Sequence, residues 1–201
     1  RLLQDLLSRA VGASFNSMTV DGDMSTNDCI FMMASGQSGV AIDQDSGDAQ
    51  LFGEALAALC KGLALKMVAD GEGATKVVEL NVKGAASDDE AARVARAISN
   101  SSLVRTAFYG RDANWGRIMA SAGAALAGEP ELLADIYYEE ICLARNGAAN
   151  AETPDAGRLK KIMGEPEVAV TLDLHRGLAA HKMYFSDLTH DYVTLNAEYT
   201  T

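Results

Sequence analysis

The residues best suited to chemistry fall in a few short stretches. Glu72 stands between Gly71 and Gly73, directly after a long apolar segment. Flanking glycines let another group approach the backbone and the carboxylate closely. A carboxylate held there suits a substrate ammonium, which it would bind by a charge-assisted hydrogen bond; the alternative is a solvated turn glutamate. The stretch Asp112-Ala113-Asn114-Trp115-Gly116-Arg117 joins a turn, the single tryptophan and a cation. Asn114 there can cap a following helix and Trp115 can anchor it, a structural role weighed evenly against a ligand site. Asp21, Asp23, Asn27 and Asp28 offer oxygen ligands to a metal, but their spacing lacks the closing glutamate of a calcium loop. A turn whose carboxylates cap their own backbone is the reading adopted, and no metal is expected. Ser25 and Thr26 become nucleophiles only with a base in reach. The histidines, His175, His181 and His190, lie near the C-terminus, and no GxSxG signature supports a triad.

Composition narrows the partners. The chain has 201 residues with 17 Lys plus Arg against 28 Asp plus Glu, a formal charge of −11. Such a surface is repelled by phosphate backbones and anionic lipids, which excludes nucleic-acid and membrane-surface roles. No segment reaches the ~18 apolar residues of a membrane span, and no signal-peptide pattern opens the chain. Cys29, Cys60 and Cys142 are scattered with no CxxC, which fits a reducing cytoplasm rather than a disulfide or zinc framework. Each sits in an apolar run, so buried inert thiols are expected. With 48% hydrophobic residues the chain has the apolar surface for a folded core. The polar tail, 196–201, would by itself be expected to fray.

Elements that position these stretches follow from periodicity. Leu2, Leu3, Leu6, Leu7 and Val11 recur at helical spacing. Asn16 to Val20 reads as a short strand, 21–28 as a turn, and the apolar run Cys29 to Ala34 as a buried strand. A Gly/Ser/Asp loop, 35–48, leads to a plausible N-cap at Asp48 and a long helix through Leu51, Leu56, Leu59, Leu63 and Met67. Lys76 to Val82 reads as a strand. Ser87 with Glu90 forms a capping box that opens a helix with Ala91, Val94, Ala95 and Ile98 on one face. Strands are expected at Leu103–Tyr109, Ile136–Ala144, Val168–Leu174 and Leu178–Phe185, and helices at Ile118–Leu126 and Ala156–Met163. The interleaving gives a mixed α and β class, with about six or seven strands and five or six helices. Neither GxGxxG nor GxxxxGK[ST] occurs, so nucleotide-binding fingerprints are absent.

Several stretches together resemble one family. They are Ser14-Phe15-Asn16, Thr19-Val20-Asp21-Gly22-Asp23 and Ser25-Thr26-Asn27-Asp28; Glu72-Gly73-Ala74-Thr75-Lys76; Tyr109-Gly110-Arg111-Asp112-Ala113-Asn114-Trp115-Gly116-Arg117-Ile118; and Asp187-Leu188-Thr189, Tyr192-Val193 and Asn196-Ala197-Glu198-Tyr199-Thr200-Thr201. In this order they resemble the β chain of bifunctional ornithine acetyltransferase, also called glutamate N-acetyltransferase, of arginine biosynthesis. The resemblance runs over the whole chain. It implies an α+β fold, a layered α/β/β/α sandwich like that of the DmpA aminopeptidases.

The resemblance also implies a mechanism. A precursor cleaves itself before a threonine, which becomes the N-terminal nucleophile of the β chain, with its own amine or a held water as base. Acetyl passes from N-acetylornithine to the threonine and then to glutamate, giving ornithine and N-acetylglutamate. Some members also accept acetyl-CoA. No cofactor is implied. The implied partner is the α chain of the same precursor, in a cytoplasmic heterotetramer of two α and two β chains. Residues 1–201 are then expected to be a β chain lacking its first residues, with the nucleophile roughly fifteen residues upstream of Arg1. No catalytic residue is expected in this chain. Glu72, Asn196 and Thr201 match the family's substrate-binding positions, and the structural reading is kept for the Asp112–Arg117 stretch. Met24 and Ser186 depart from the family's usual residues without touching a ligand position. A hydrolase of aminopeptidase type and a non-catalytic, amino-acid-binding subunit are the rival readings.

Overall fold

The computed structural model describes residues 1–152 and 155–198. One seven-stranded mixed sheet, in the order β1-β7-β2-β6-β3-β4-β5, organises the chain. Its strands are β1 (Met18–Thr19), β2 (Val77–Ala85), β3 (Asp135–Tyr138), β4 (Ile141–Arg145), β5 (Ala148–Ala149), β6 (Glu167–Asp173) and β7 (Ala179–Ser186). β2 lies parallel to β6 and antiparallel to β7.

Alternation along β2 decides what covers each face. Val78, Leu80 and Val82 point one way, beside Phe185 and Met183 of β7, and all are buried. Over them lies helix α3 (Asp88–Ser99), whose Ala91, Val94, Ala95 and Ile98 are fully buried, as the sequence spacing predicts. Ser87 caps α3 by accepting the Glu90 N–H, and Glu90 reaches back to the Ala86 N–H, completing a capping box. Helices α4 (Ser102–Tyr109) and α5 (Trp115–Ala125) pack beside α3. Glu79 and Tyr184 point the other way, and helix α2 (Gly47–Ala69) crosses there, with the Lys61 ammonium over the Tyr184 ring. Helix α1 (Leu2–Gly12) packs its Leu6 and Ala10 on Leu56 and Cys60 of α2. The result is a helix–sheet–helix layering of α+β type; α6 (Ala156–Ile162) sets Leu159 and Ile162 against the main core, and α7 (His190–Glu198) follows β7.

Several expectations need correcting. Leu103–Tyr109 is helix, not strand: Ser101 caps it, and Val104, Ala107 and Phe108 bury at i, i+3, i+4 spacing while Leu103 faces solvent. Ile136–Ala144 is a hairpin rather than one strand, turned at Glu139 with φ 50°. Helix α2 is capped by Ser46, two residues before the expected Asp48. The Asn16–Val20 strand shrinks to β1 behind a 3-10 turn at Phe15–Ser17.

The largest departure is Cys29–Ala34, which is not a strand and is mostly exposed, with Met32 alone packed half-buried against the α1–α2 cluster. Phe31 is 82% and Met33 93% exposed, and the Cys29 thiol is exposed too. A strand needs a ladder partner for its backbone groups, and among the described residues none lies alongside.

Candidate functional site

Glu72 lies in the connection from α2 to β2. The turn is tight because Gly73 adopts φ +66° and sits against the start of α7; a Cβ there would meet the Tyr192 nitrogen at 2.7 Å and the Thr189 hydroxyl oxygen at 2.9 Å. This close approach brings the two ends of the chain together. The Asn196 side-chain amide, on α7, donates to Glu72 Oε2 at 2.6 Å across 124 residues of sequence. The same Nδ2 donates to the Tyr192 carbonyl at 3.0 Å, which fixes the amide's orientation on its own helix. Both residues are exposed, so the carboxylate stands open to a ligand while its direction is set by an amide. Two of the three residues marked by the sequence are thus joined, and Thr201 lies outside the described residues.

Buried polar groups hold this junction. Asp187, 2% exposed, follows β7 and accepts three donors from the Glu72 turn. These are the Thr75 N–H at 2.8 Å, the Lys76 N–H at 3.0 Å and the Thr75 hydroxyl. Thr189 donates its hydroxyl to the Gly73 carbonyl at 2.8 Å and accepts the Tyr192 N–H, capping α7. Arg105, buried on α4, donates to the Ser186 carbonyl, the Ser186 hydroxyl and the Asp187 carbonyl. Burial lowers its guanidinium's pKa. The Lys76 ammonium donates to the Glu165 carbonyl at 2.7 Å. Its pKa is pushed down by burial, then by the nearby Arg111. The Tyr192 hydroxyl donates to Asp21 Oδ2 at 3.2 Å, and burial followed by the Asp21 charge raises its pKa.

The other stretches marked by the sequence take structural roles. Asn114 caps α5 by accepting the Arg117 N–H, Trp115 packs half-buried against the main core, and Arg117 donates to the Leu103 carbonyl. Asp21 accepts the Asp23 N–H and Asp28 accepts the Ser25 N–H, as expected of a self-capping turn. Each histidine engages other groups than Ser25 or Thr26. His181 meets the Ser17 hydroxyl at 3.5 Å, His190 the Tyr109 hydroxyl at 3.3 Å, and His175 lies between Asp135 and Asp173. The cleft beside His175, lined also by Arg145 and Asn146, opens at the far end of β2, where Lys83 is paired with Asp173. It shares no residue with the Glu72 junction.

Sequence reasoning gave no role to Asp187, Thr75, Thr189 or Arg105. Thr189 carried a usable signal, a hydroxyl residue three positions before the helical Tyr192. Asp187 stood only in a stretch that carries the resemblance, with no role legible locally, because its partners lie 111 and 112 residues away.

Comparison with known proteins places this architecture. A family model described as the ArgJ family matches residues 1–201. The arginine biosynthesis bifunctional protein ArgJ of Geobacter sulfurreducens is 44% identical over 203 residues, covering 99% of this chain and 51% of that protein. The glutamate N-acetyltransferase of Methanocaldococcus jannaschii is 40% identical over 205 residues, covering 99% of this chain and 50% of that protein. The chain therefore spans about half the length of the curated relatives it matches. A crystal structure of the ArgJ protein from Bacillus halodurans superposes with a TM-score of 0.91 at 39% identity, covering 98% of this chain and 92% of the matched one. The chain belongs to the ArgJ family.

Proposed function

We propose that this chain is the β chain of an ornithine acetyltransferase and binds the amine-bearing substrate through Glu72. The observation that carries the reading is the exposed Glu72 carboxylate held by Asn196 at 2.6 Å. The side-chain ammonium of N-acetylornithine pairs with that carboxylate by a charge-assisted hydrogen bond. Asn196 walls the pocket, and Thr201, which lies outside the described residues, is assigned to substrate binding. The nucleophile is a threonine upstream of Arg1, freed by self-cleavage of a longer precursor. Its hydroxyl attacks the acetyl carbonyl; the amide C–N bond breaks, the ester C–O bond forms, and the proton passes to the leaving ornithine amine. Glutamate's amine then takes the acetyl group and the threonine hydroxyl is restored. Acetyl-CoA can acylate the same threonine, which would add N-acetylglutamate synthesis.

The partner in this reading is the α chain of the same precursor, in a heterotetramer in the cytoplasm. Two observations support a second chain. The curated relatives are about twice as long, yet the matched crystallographic chain is 92% covered, so it is close to this chain in length. The chain also exposes Phe31 and Met33, with Leu59, Leu63 and Met67 in a row at four-residue spacing on α2. Exposed apolar surface of that extent marks an interaction face. No helix among the described residues is long and apolar enough to cross a membrane.

Steady-state kinetics of the full-length protein test the proposal. Transfer from N-acetylornithine to glutamate should give parallel double-reciprocal lines, since a covalent acyl-enzyme separates the half-reactions. Intersecting lines, or water as sole acceptor, would count against it. Glu72→Gln should weaken N-acetylornithine binding by roughly 1.5–3 kcal/mol, the scale of a charged hydrogen bond. Unchanged kinetics would return Glu72 to a solvated turn.

A further inference from the structure

We propose that Asp187 is a positioning residue for substrate binding: it fixes where the Glu72 carboxylate stands relative to Asn196. The proposal rests on the reading of Glu72 as the ammonium-binding group. Glu72 is a central residue of a turn closed by the Ala74 N–H on the Gly71 carbonyl at 2.9 Å, and its own side chain is exposed. That bond shapes the turn but does not set where it stands relative to α7; the contacts that do so converge on the segment after β7.

The Asp187 carboxylate accepts the consecutive N–H groups of Thr75 and Lys76 on one oxygen and the Thr75 hydroxyl on the other. The two N–H groups belong to the successive peptide units on either side of Thr75, so the contact fixes the orientation of that residue as well as its distance. Three residues upstream stands Glu72. Two residues downstream of Asp187, Thr189 grips the Gly73 carbonyl and begins the helix that carries Asn196. A closed circuit results: Glu72, Gly73, Thr189, α7, Asn196 and back to Glu72. Asp187 ties that circuit to the entry of β2. Arg105 in turn holds the Asp187 carbonyl from a core helix, at 3.2 Å.

A carboxylate suits this place because every group it meets is a donor. Asparagine would still accept both N–H groups through its oxygen, while its amide would oblige the Thr75 hydroxyl to turn and accept. Asp187→Asn is therefore a conservative variant that loosens the tie without removing it, and Thr75→Val removes the hydroxyl while leaving Asp187 in place. Thr75→Ser keeps the hydroxyl and serves as the rescue.

The experiment measures kcat, KM for N-acetylornithine and melting temperature in the full-length protein. It uses these three variants, Glu72→Gln, and the double variant Asp187→Asn/Glu72→Gln. A misplacement of about 1 Å at a binding group costs on the order of 100-fold. Asp187→Asn and Thr75→Val should therefore raise KM roughly 10- to 100-fold with kcat little changed, the pattern of lost uniform binding. Thr75→Ser should stay near the parent. The double variant should be no worse than Glu72→Gln within roughly twofold, since Asp187 acts through Glu72. A purely structural role would instead lower the melting temperature or the active fraction with KM unchanged, or multiply the two losses in the double variant; either result overturns the proposal. If Asp187→Asn does not fold, the contrast between Thr75→Val and Thr75→Ser decides. If Glu72→Gln leaves KM unchanged, the reading of Glu72 fails and the positioning role falls with it. A raised KM in Glu72→Gln alone sinks only the role of Asp187.

Discussion

Two connections in this chain carry family motif strings, and they are built in opposite ways. Residues 70–76 form a short turn stapled by side chains more than a hundred residues away, Asp187 and Thr189. Residues 21–46 form a long, exposed connection whose described hydrogen bonds from residue 23 to residue 45 span three residues or fewer. The first is shaped by this chain's own core. The second bonds locally apart from Asp21, which accepts the Tyr192 hydroxyl; it rests Met32 on the α1–α2 cluster and turns Phe31 and Met33 outward. A motif string thus marks a segment without saying what holds it in place.

The sharpest test of this contrast substitutes glycines of similar backbone angle. Gly73→Ala puts a Cβ within 2.7 Å of the Tyr192 nitrogen at φ +66°. Left-handed strain plus overpacking should cost roughly 2–4 kcal/mol in denaturant unfolding and should part Asn196 from Glu72. Next in size is assembly. Phe31→Asp with Met33→Asp should weaken partner-chain association roughly 10- to 100-fold, as for removal of apolar anchors. The same pair should leave the stability of the isolated chain within about 0.5 kcal/mol. Co-purification of tagged chains together with denaturant melts reads both effects. If the isolated chain unfolds more readily, the connection is held internally and the contrast is wrong.

Gly36→Ala should cost only about 1 kcal/mol, because φ +72° is strained but nothing lies within 4 Å of the added methyl. The smallest effect concerns Lys76, whose ammonium is held below its ordinary value of 10.5 by burial. In the window below 10.5 the unfolded chain then binds more protons than the folded one, so this residue's contribution to stability rises with pH. Lys76→Met should remove that rise while losing the bond to the Glu165 carbonyl. Urea melts at neutral and alkaline pH should show the parent gaining on the variant; a constant difference would show that burial does not tune this lysine.

The mixed α and β class, the long helix α2, the face of α3 and the strands around β2 could be read from the sequence because each element is a periodic run that buries locally, while the α+β layering came only with the resemblance. The apolar run from Cys29 misled for a physical reason: a short apolar run carries no sign of whether a ladder partner lies beside it, and here Phe31 and Met33 are exposed. Leu103–Tyr109 misled because β-branched and aromatic residues also suit a helix capped by Ser101. At the site, Glu72 stood out through its glycines, whereas Asn196 emerged only by resemblance. Asp187 stayed hidden because a carboxylate after a strand has no local signature, and its meaning lies in a fold that brings residues 75 and 187 together.

Both margins of the sheet end in stubs. β1 and β5, the outermost strands, are two residues each. An open margin of unpaired backbone is a template on which further chains can add indefinitely, and so short a rung offers almost no template. Strand addition on those two rungs is thereby discouraged, although the Ala179–Met183 part of β7 has no ladder partner on its β1 side among the described residues. In the proposed complex, a partner seated on side-chain faces would be selected by shape and composition, which a backbone ladder does not read.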